Sequence, residues 1–291
     1  MKILVTGATG KLGSKVVEAL LKNVPASELA VSVRNPEKAE GLRALGVEVR
    51  HGDFDQPKTL DSAFSGIDRL LIISTFGDHE TIMRHHTNAV AAAQRAQVKF
   101  IAYTSVTNAS ESKFFLASSH RAREEAILKT GIPYSFLRNN WYFENEIGGI
   151  QGAMAGAPWI TSAGKGKVGW VLRQDLAEAA SKVLTGKGHE NTIYELSGKL
   201  MTQEELVSAL GDVLGKEVHV QQVDDATYAD IMKDAGVPEA YISMLVNTQK
   251  GIRDGGLEIK SNDLEKLLGR PATPINEALS QIVSQISQTG N

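Results

Sequence analysis

Over the first 140 residues, short and almost wholly apolar runs alternate with stretches whose apolar residues recur at helical spacing, a pattern few architectures accept. Strand-like runs stand at KILVT (2–6), LAVSV (29–33), VEVRH (47–51), RLLIIS (69–74), KFIAYTS (99–105) and YSFLR (134–138), and helical spacing fills the intervals near 11–23, 36–45, 57–65, 79–97 and 117–130. A strand covered by helices on both faces reads as a continuous apolar run, and strands separated by helical stretches read as βαβ units with right-handed crossovers. The expectation is an α/β fold: a doubly wound parallel sheet of the dinucleotide-binding (Rossmann) kind.

The first turn sharpens this. After the opening run come Gly7, Gly10 and Gly13, and then Val16, Val17, Leu20 and Leu21 at helical spacing. A strand that breaks into glycines and restarts as a helix can place helical N–H groups on a phosphate, with glycines allowing the tight turn and the close approach. A dinucleotide site then distinguishes its nucleotides at the end of the second strand, where an acid binds a ribose 2′-hydroxyl and an arginine a 2′-phosphate. Here that strand runs into VSVRNPEKA, with Arg34 and no acid before Glu37. A guanidinium offers a planar fork to phosphate, which favours NADPH.

Beyond Asn140 the regularity weakens. GGIQGAMAGAPW and TSAGKGKVGW are rich in glycine and small residues. RQDLAEAASKVLT (173–185) carries a helical stripe, TIYELSG (192–198) and EVHVQQV (217–223) read as strands, and TQEELVSALGDVLG opens on a capping box of Thr202 and Glu205. The boundary is expected near 145: a dinucleotide-binding domain over 1–145, then a smaller, mainly helical substrate lobe over 146–291 that partly recrosses to the sheet. The net charge of −3 gives no electrostatic case for nucleic acid or an anionic membrane surface. With no cysteine, thiolate chemistry is excluded. The absence of a secretory-type apolar segment near the start, and of any run long enough to span a bilayer, suggests a soluble cytoplasmic protein.

Five ordered stretches, VTGATGKLG, SVRNPEKA, VEVRHGDFDQPKTL, FIAYTSV and GIPYSFLRNNWYFEN, together resemble NmrA-like proteins, atypical members of the short-chain dehydrogenase/reductase superfamily, and within them the branch that reduces quinones and triarylmethane dyes. The resemblance implies an NADPH site. Gly7, Thr9, Gly10, Lys11, Leu12 and Gly13 would hold the pyrophosphate, Arg34 the 2′-phosphate, and Asp53 and Phe54 the adenine. Ser74, Thr75, Phe76, Thr104, Ser105, Asn139 and Asn140 would border the ribose and nicotinamide, with Trp141, Tyr142 and Arg173 on the substrate. Other roles compete at two of these places: Asp55 can cap the helix after Gln56-Pro57, and Asp175 suits a helix cap better than a catalyst. The resemblance leaves a homodimer open.

The superfamily's usual acid, a tyrosine with lysine four residues on, is absent: none of the six tyrosines has that lysine, and Tyr134 with Arg138 lies in a strand. The corresponding stretch is SHRAREEA, where His120 stands one helical turn before Glu124. His120 is the catalytic candidate, as a proton donor or relay; alternatively it is an i,i+4 partner of Glu124 on a helix surface. Adjacent His85 and His86 diverge on a helix, and no metal or flavin is expected. Quinones and cationic triarylmethane dyes take hydride without needing a strong enzyme acid, so a reductase of such conjugated electrophiles is the leading reading. The alternative is a non-catalytic NADP(H) sensor of the NmrA type.

Overall fold

The computed structural model describes residues 1–75 and 77–289. In chain order the elements are β1 (Ile3–Thr6), α1 (Lys11–Leu21), β2 (Leu29–Val33), α2 (Glu40–Ala44), β3 (Glu48–His51), α3 (Pro57–Phe64), β4 (Arg69–Ile72), α4 (His79–Arg95), β5 (Phe100–Val106), α5 (Ala117–Leu128) and β6 (Tyr134–Asn139). Then follow α6 (Ile147–Met154), β7 (Trp159–Thr161), α7 (Arg173–Thr185), β8 (Thr192–Leu196), α8 (Gln203–Leu214), β9 (Val220–Gln222), α9 (Asp225–Asp234), α10 (Glu239–Arg253), α11 (Asp263–Leu268) and α12 (Ile275–Thr289). Seven strands form one sheet in the order β3-β2-β1-β4-β5-β6-β8, every neighbour parallel. The chain leaves β1 toward β2 on one side and returns as β4 on the other. That reversal opens a crevice above the carboxyl ends of β1 and β4, where such sheets bind ligands.

Alternation along each strand sorts the apolar residues onto two faces. Ile3, Val5, Val31, Val33, Leu71, Ala102 and Leu137 form one core with Val16, Val17 and Leu20 of α1 and with Ala179, Ala180 and Val183 of α7. Leu4, Ala30, Leu70, Ile72, Ile101, Tyr103 and Phe136 form the other with Leu60 and Phe64 of α3, Ala89, Val90 and Ala93 of α4 and Ile127 of α5. Burying each large side chain contributes roughly 1.5–3 kcal/mol. Both faces of the central strands are covered by helices, as their near-continuous apolar runs require.

A third core joins Phe114, Phe143, Trp159, Trp170, Leu206, Leu210, Ile252, Leu279 and Ile282 beside the crevice. There β7 and β9 make a separate two-stranded parallel sheet, and β8 crosses back to pair with β6. Some expected elements shrink. The stretch 36–45 becomes a 3-10 turn over Pro36–Ala39, with Asn35 accepting from the Glu37 N–H, before the short α2, and EVHVQQV keeps only Val220–Gln222 as strand.

Candidate cofactor and acceptor site

At the first crossover Gly7 has φ +62°, a left-handed conformation that favours glycine. A Cβ on Gly13 would lie 2.1 Å from the Gly7 carbonyl oxygen, whereas one on Gly10 meets only that oxygen, at 3.2 Å. Gly13 therefore lets α1 press onto the turn, and Gly10 leaves an open face. No side chain caps α1 and no acid sits in its first turn. Its leading N–H groups and the positive end of its dipole thus face the crevice. Thr9, Gly10 and Lys11 are exposed on the rim, while Leu12 is buried in the core below.

At the end of β2, Arg34 is exposed and, among the described residues, ion-pairs with no carboxylate. Asp53 orders the turn after β3. Its carboxylate accepts from the Asp55 N–H (3.0 Å) and Gln56 Nε2 (3.1 Å), and its own N–H donates to Thr59 Oγ1 (2.9 Å). Phe54 beside it is half-buried. Asp55 does not cap α3, whose N-cap is Gln56 without a side-chain bond. It pairs instead with Arg84 (2.8 Å) and His85 (3.0 Å), which draw the carboxylate toward α4 and lower its pKa, Arg84 most.

The ends of the central strands are pinned by threonines. Thr6 Oγ1 accepts from the Ile73 N–H (3.0 Å); Thr104 Oγ1 accepts from the Ser74 N–H (2.9 Å) and donates to Ser74 Oγ (3.3 Å). Thr75 follows, half-buried; Phe76 lies outside the described residues. At the end of β5, Ser105 is buried and its hydroxyl has no hydrogen-bond partner. An orphaned buried hydroxyl costs about 1–3 kcal/mol, and a ligand group at the strand end would complete it. The glycine cradle, the uncapped helix, the unpaired Arg34 and the orphaned Ser105 fit the pyrophosphate, 2′-phosphate and nicotinamide end of NADPH.

After β6, Asn139 Nδ2 donates to the Tyr142 hydroxyl (3.3 Å). The Arg173 guanidinium lies 4.8 Å from the Tyr142 ring centre and donates to Asn145 Oδ1 (2.9 Å). Burial raises the Tyr142 pKa, so the hydroxyl stays protonated. Asn140 is a different matter: its two amide donors go to Ser197 Oγ and the Leu257 carbonyl, both 3.0 Å, and its oxygen accepts from the Trp141 N–H (2.7 Å). Asn140 thus ties the end of β6 to the segments after β8 and α10, with no donor left for a cofactor. Trp141 packs edge-on against Phe114 at 5.9 Å. Asp175 stands inside α7, whose N-cap is Leu172. It is no cap: its carboxylate accepts from Arg270 and from the N–H and hydroxyl of Thr273, stitching the C-terminal segment to α7.

His120 stands neither on a helix surface nor in the charged form of an imidazole. It is buried, and its Nδ1 shares a 2.9 Å hydrogen bond with the Tyr103 hydroxyl. Burial first, then the charge of Arg123, holds its pKa well below the usual imidazole value. At neutral pH it carries no extra proton to give. Nor is it the partner of Glu124, which binds Arg138 through both carboxylate oxygens at 2.9 and 2.6 Å. A buried guanidinium wins over a neutral imidazole for the same carboxylate.

Against known proteins, the NmrA-like family model matches residues 1–273. The chain belongs to the NmrA-like family. Quinone oxidoreductase 2 of Escherichia coli K12 is 40% identical over 281 residues, 96% of this chain and 98% of that one. The NAD(P)H azoreductase of Xenophilus azovorans is 27% identical, over 94% and 96% of the two chains. Among solved structures, Citrobacter sp. triphenylmethane reductase complexed with NADP(H) superposes with TM-score 0.93 at 42% identity, covering 97% of this chain and all of that one. The E. coli NADPH-dependent quinone oxidoreductase complexed with NADPH does so with TM-score 0.92 at 39% identity, covering 97% and 99%.

Sequence reasoning missed Glu146. Its partner Trp170 is 24 residues away, and neither local period nor motif links the two.

Proposed function

We propose that this NmrA-like chain is an NADPH-dependent reductase that passes hydride to a quinone or a similar conjugated electrophile, triarylmethane dyes included. The observation that carries the reading is the cradle: glycines at 7, 10 and 13 under an uncapped α1, with Arg34 unpaired at the next strand end. NADPH, when bound, supplies the hydride from its nicotinamide. The chain's residues hold and orient it. Backbone at Thr9–Leu12 takes the pyrophosphate, Arg34 the 2′-phosphate, Asp53 and Phe54 the adenine side. Ser74, Thr75, Thr104, Ser105 and Asn139 line the strand ends beneath the ribose and nicotinamide, and Trp141, Tyr142 and Arg173 face the acceptor. Positioning of this kind supplies much of the barrier reduction. A conjugated acceptor needs little more, since a quinone's reduced anion is delocalised and a cationic dye becomes neutral on taking hydride. That matches a site whose histidine is buried and neutral. We place the protein in the cytoplasm, and no helix among the described residues is long and apolar enough to cross a membrane.

The test is NADPH consumption with a panel of quinones and dyes, paired with Arg34→Ala. Charge-assisted hydrogen bonds contribute about 1.5–3 kcal/mol each, so the variant should bind NADPH roughly tenfold to a hundredfold more weakly and NADH almost unchanged. Equal losses for both would remove Arg34 from the 2′-phosphate. Tight NADPH binding with no acceptor consumed would instead return the chain to the sensor reading.

A further inference from the structure

Between the end of β4 and the helices α4 and α5 lies a cavity of about 10 Å³, lined among others by Phe54, Ile72, Ser74, His86, Ala89 and Arg123. That is room for one water-sized guest. Its floor is buried: Ile72, His86, Ala89 and Arg123 are at most 5% exposed. Phe54 and Ser74 on its rim are half-buried, and Asn88 Nδ2 holds the rim by donating to the Phe54 carbonyl at 2.7 Å.

Arg123 is a buried cation without a counter-ion. Its Nε donates to the Ser119 carbonyl and one Nη to the Ser119 hydroxyl, both at 3.1 Å. Its guanidinium carbon stands 5.8 Å from the Tyr103 ring centre, and among the described residues no carboxylate pairs with it. The acids of the surrounding elements are committed or exposed. Glu124 gives both oxygens to Arg138, and Glu125 is exposed. Asp55 takes Arg84 and His85. At the start of α4, Asp78 accepts from the Thr81 N–H (2.9 Å), and Glu80 is exposed.

The polar neighbours bring no negative charge either. Burial keeps the Tyr103 phenol protonated, and burial first, then the charge of Arg123 itself, keeps His120 neutral. His86 is held neutral chiefly by burial. A guanidinium cannot shed its charge as these groups do, and a buried charge left unpaired is costly. At the rim, Ser74 Oγ accepts from Thr104 Oγ1 (3.3 Å), so its own hydrogen is left to donate.

We infer that the cavity binds one small monovalent anion, of the size and charge of chloride, as the counter-ion of Arg123. The guanidinium supplies the charge and the Ser74 hydroxyl a second donor, and the volume excludes sulfate and phosphate. The rim is shared with strand ends assigned above to the cofactor. A neutral adenine or ribose there gives Arg123 no counter-charge, so this site does not rest on the reductase reading.

The experiment starts from the unmutated protein. In crystals soaked in sodium bromide, an anomalous-scattering peak should stand in the cavity beside the Arg123 guanidinium. In solution, urea unfolding is followed as chloride replaces gluconate at fixed ionic strength, which holds general screening constant. Raising chloride from about 1 to 100 mM should lower the unfolding equilibrium constant about tenfold, for a dissociation constant of about 10 mM. Arg123→Met, of similar length and uncharged, should erase both the chloride response and the bromide peak; the two readings on the unmutated protein decide the matter even where that variant does not fold. An ordered water in the cavity with no bromide overturns the inference. A peak without any chloride response in solution marks an adventitious ion only and overturns it as well. A folded Arg123→Met protein that keeps the full response places the anion elsewhere.

Discussion

Gly10 and Gly13 look interchangeable in the sequence, and the structure gives them different work. At Gly13 an added methyl would overlap the Gly7 carbonyl oxygen at 2.1 Å, backbone against backbone, so α1 would have to lift off the turn. At Gly10 the only neighbour stands at 3.2 Å, and the space beyond is the space a phosphate needs. Gly13→Ala should therefore destabilise the fold by a few kcal/mol, in the range of an overpacked core. Gly10→Val should leave the unfolding midpoint nearly unchanged and abolish NADPH binding. Denaturant titration and cofactor titration on the two variants separate these outcomes. Equal stability losses at both positions would mean the turn does not keep Gly10 open for a ligand. The role of Glu124 was hidden more deeply. Four residues after His120, it invites a helical pair, but its partner Arg138 comes from the next strand, and no spacing along α5 announces that.

At the scale of elements, the central strands announce themselves because residues buried on both faces are mostly apolar, and all seven strands of the large sheet fall on runs legible in the sequence. β5 and β6 run one residue further, and the edge strands β3 and β8 are only partly buried. β7 does not announce itself, because Trp159–Thr161 is three residues long and preceded by a small-residue stretch. Equally invisible are the ties between elements. Arg138 on β6 holds Glu124 of α5, Glu195 of β8 (3.1 Å) and Ser110 Oγ (2.6 Å). Glu195 in turn accepts from Thr107 Oγ1 (2.8 Å) and the Asn108 N–H (2.9 Å). Three elements and the loop leading to Phe114 thus share one buried cation, whose pKa the carboxylates raise against desolvation. Arg138→Met strands Glu124 without a counter-charge, and breaking a buried pair costs about 3–5 kcal/mol. Glu124→Gln leaves Arg138 with Glu195 and should cost less, about 1–3 kcal/mol. Urea unfolding of both variants checks the order. A Glu124→Gln protein less stable than Arg138→Met would show that Glu195 does not share the load.

The whole molecule carries buried titratable groups of opposite sign, and its response to acid is their difference. His86 is buried with Nε2 2.9 Å from the Arg123 carbonyl oxygen, and burial lowers its pKa from 6.5 to about 4; His120 moves the same way. Arg123, buried beside both, donates to Ser119 and ion-pairs with no carboxylate among the described residues, and its charge adds to the cost of charging either one. For such histidines the unfolded chain binds protons first. Their full stability is present above pH 6.5 and is lost as pH falls toward 4, to the extent of roughly 3 kcal/mol for His86. Glu146 runs in the opposite direction. Its folded pKa of about 7 exceeds the unfolded 4.5, so the folded state takes up the proton first and gains stability over much of the same window, by a comparable amount. Carboxylates such as Asp225, lowered to about 2 by Arg253 and then Ser162, begin to act only below pH 4. Between pH 7 and 4.5 the wild type should therefore lose stability only gently, with His120 tipping the balance. Glu146→Gln should lose it steeply over that interval, and His86→Gln, whose amide can still donate to the Arg123 carbonyl, should lose little or gain. Urea unfolding midpoints at pH 7, 6 and 5 measure all three slopes. Parallel slopes in the three proteins would mean that neither group is held at the burial the fold assigns it.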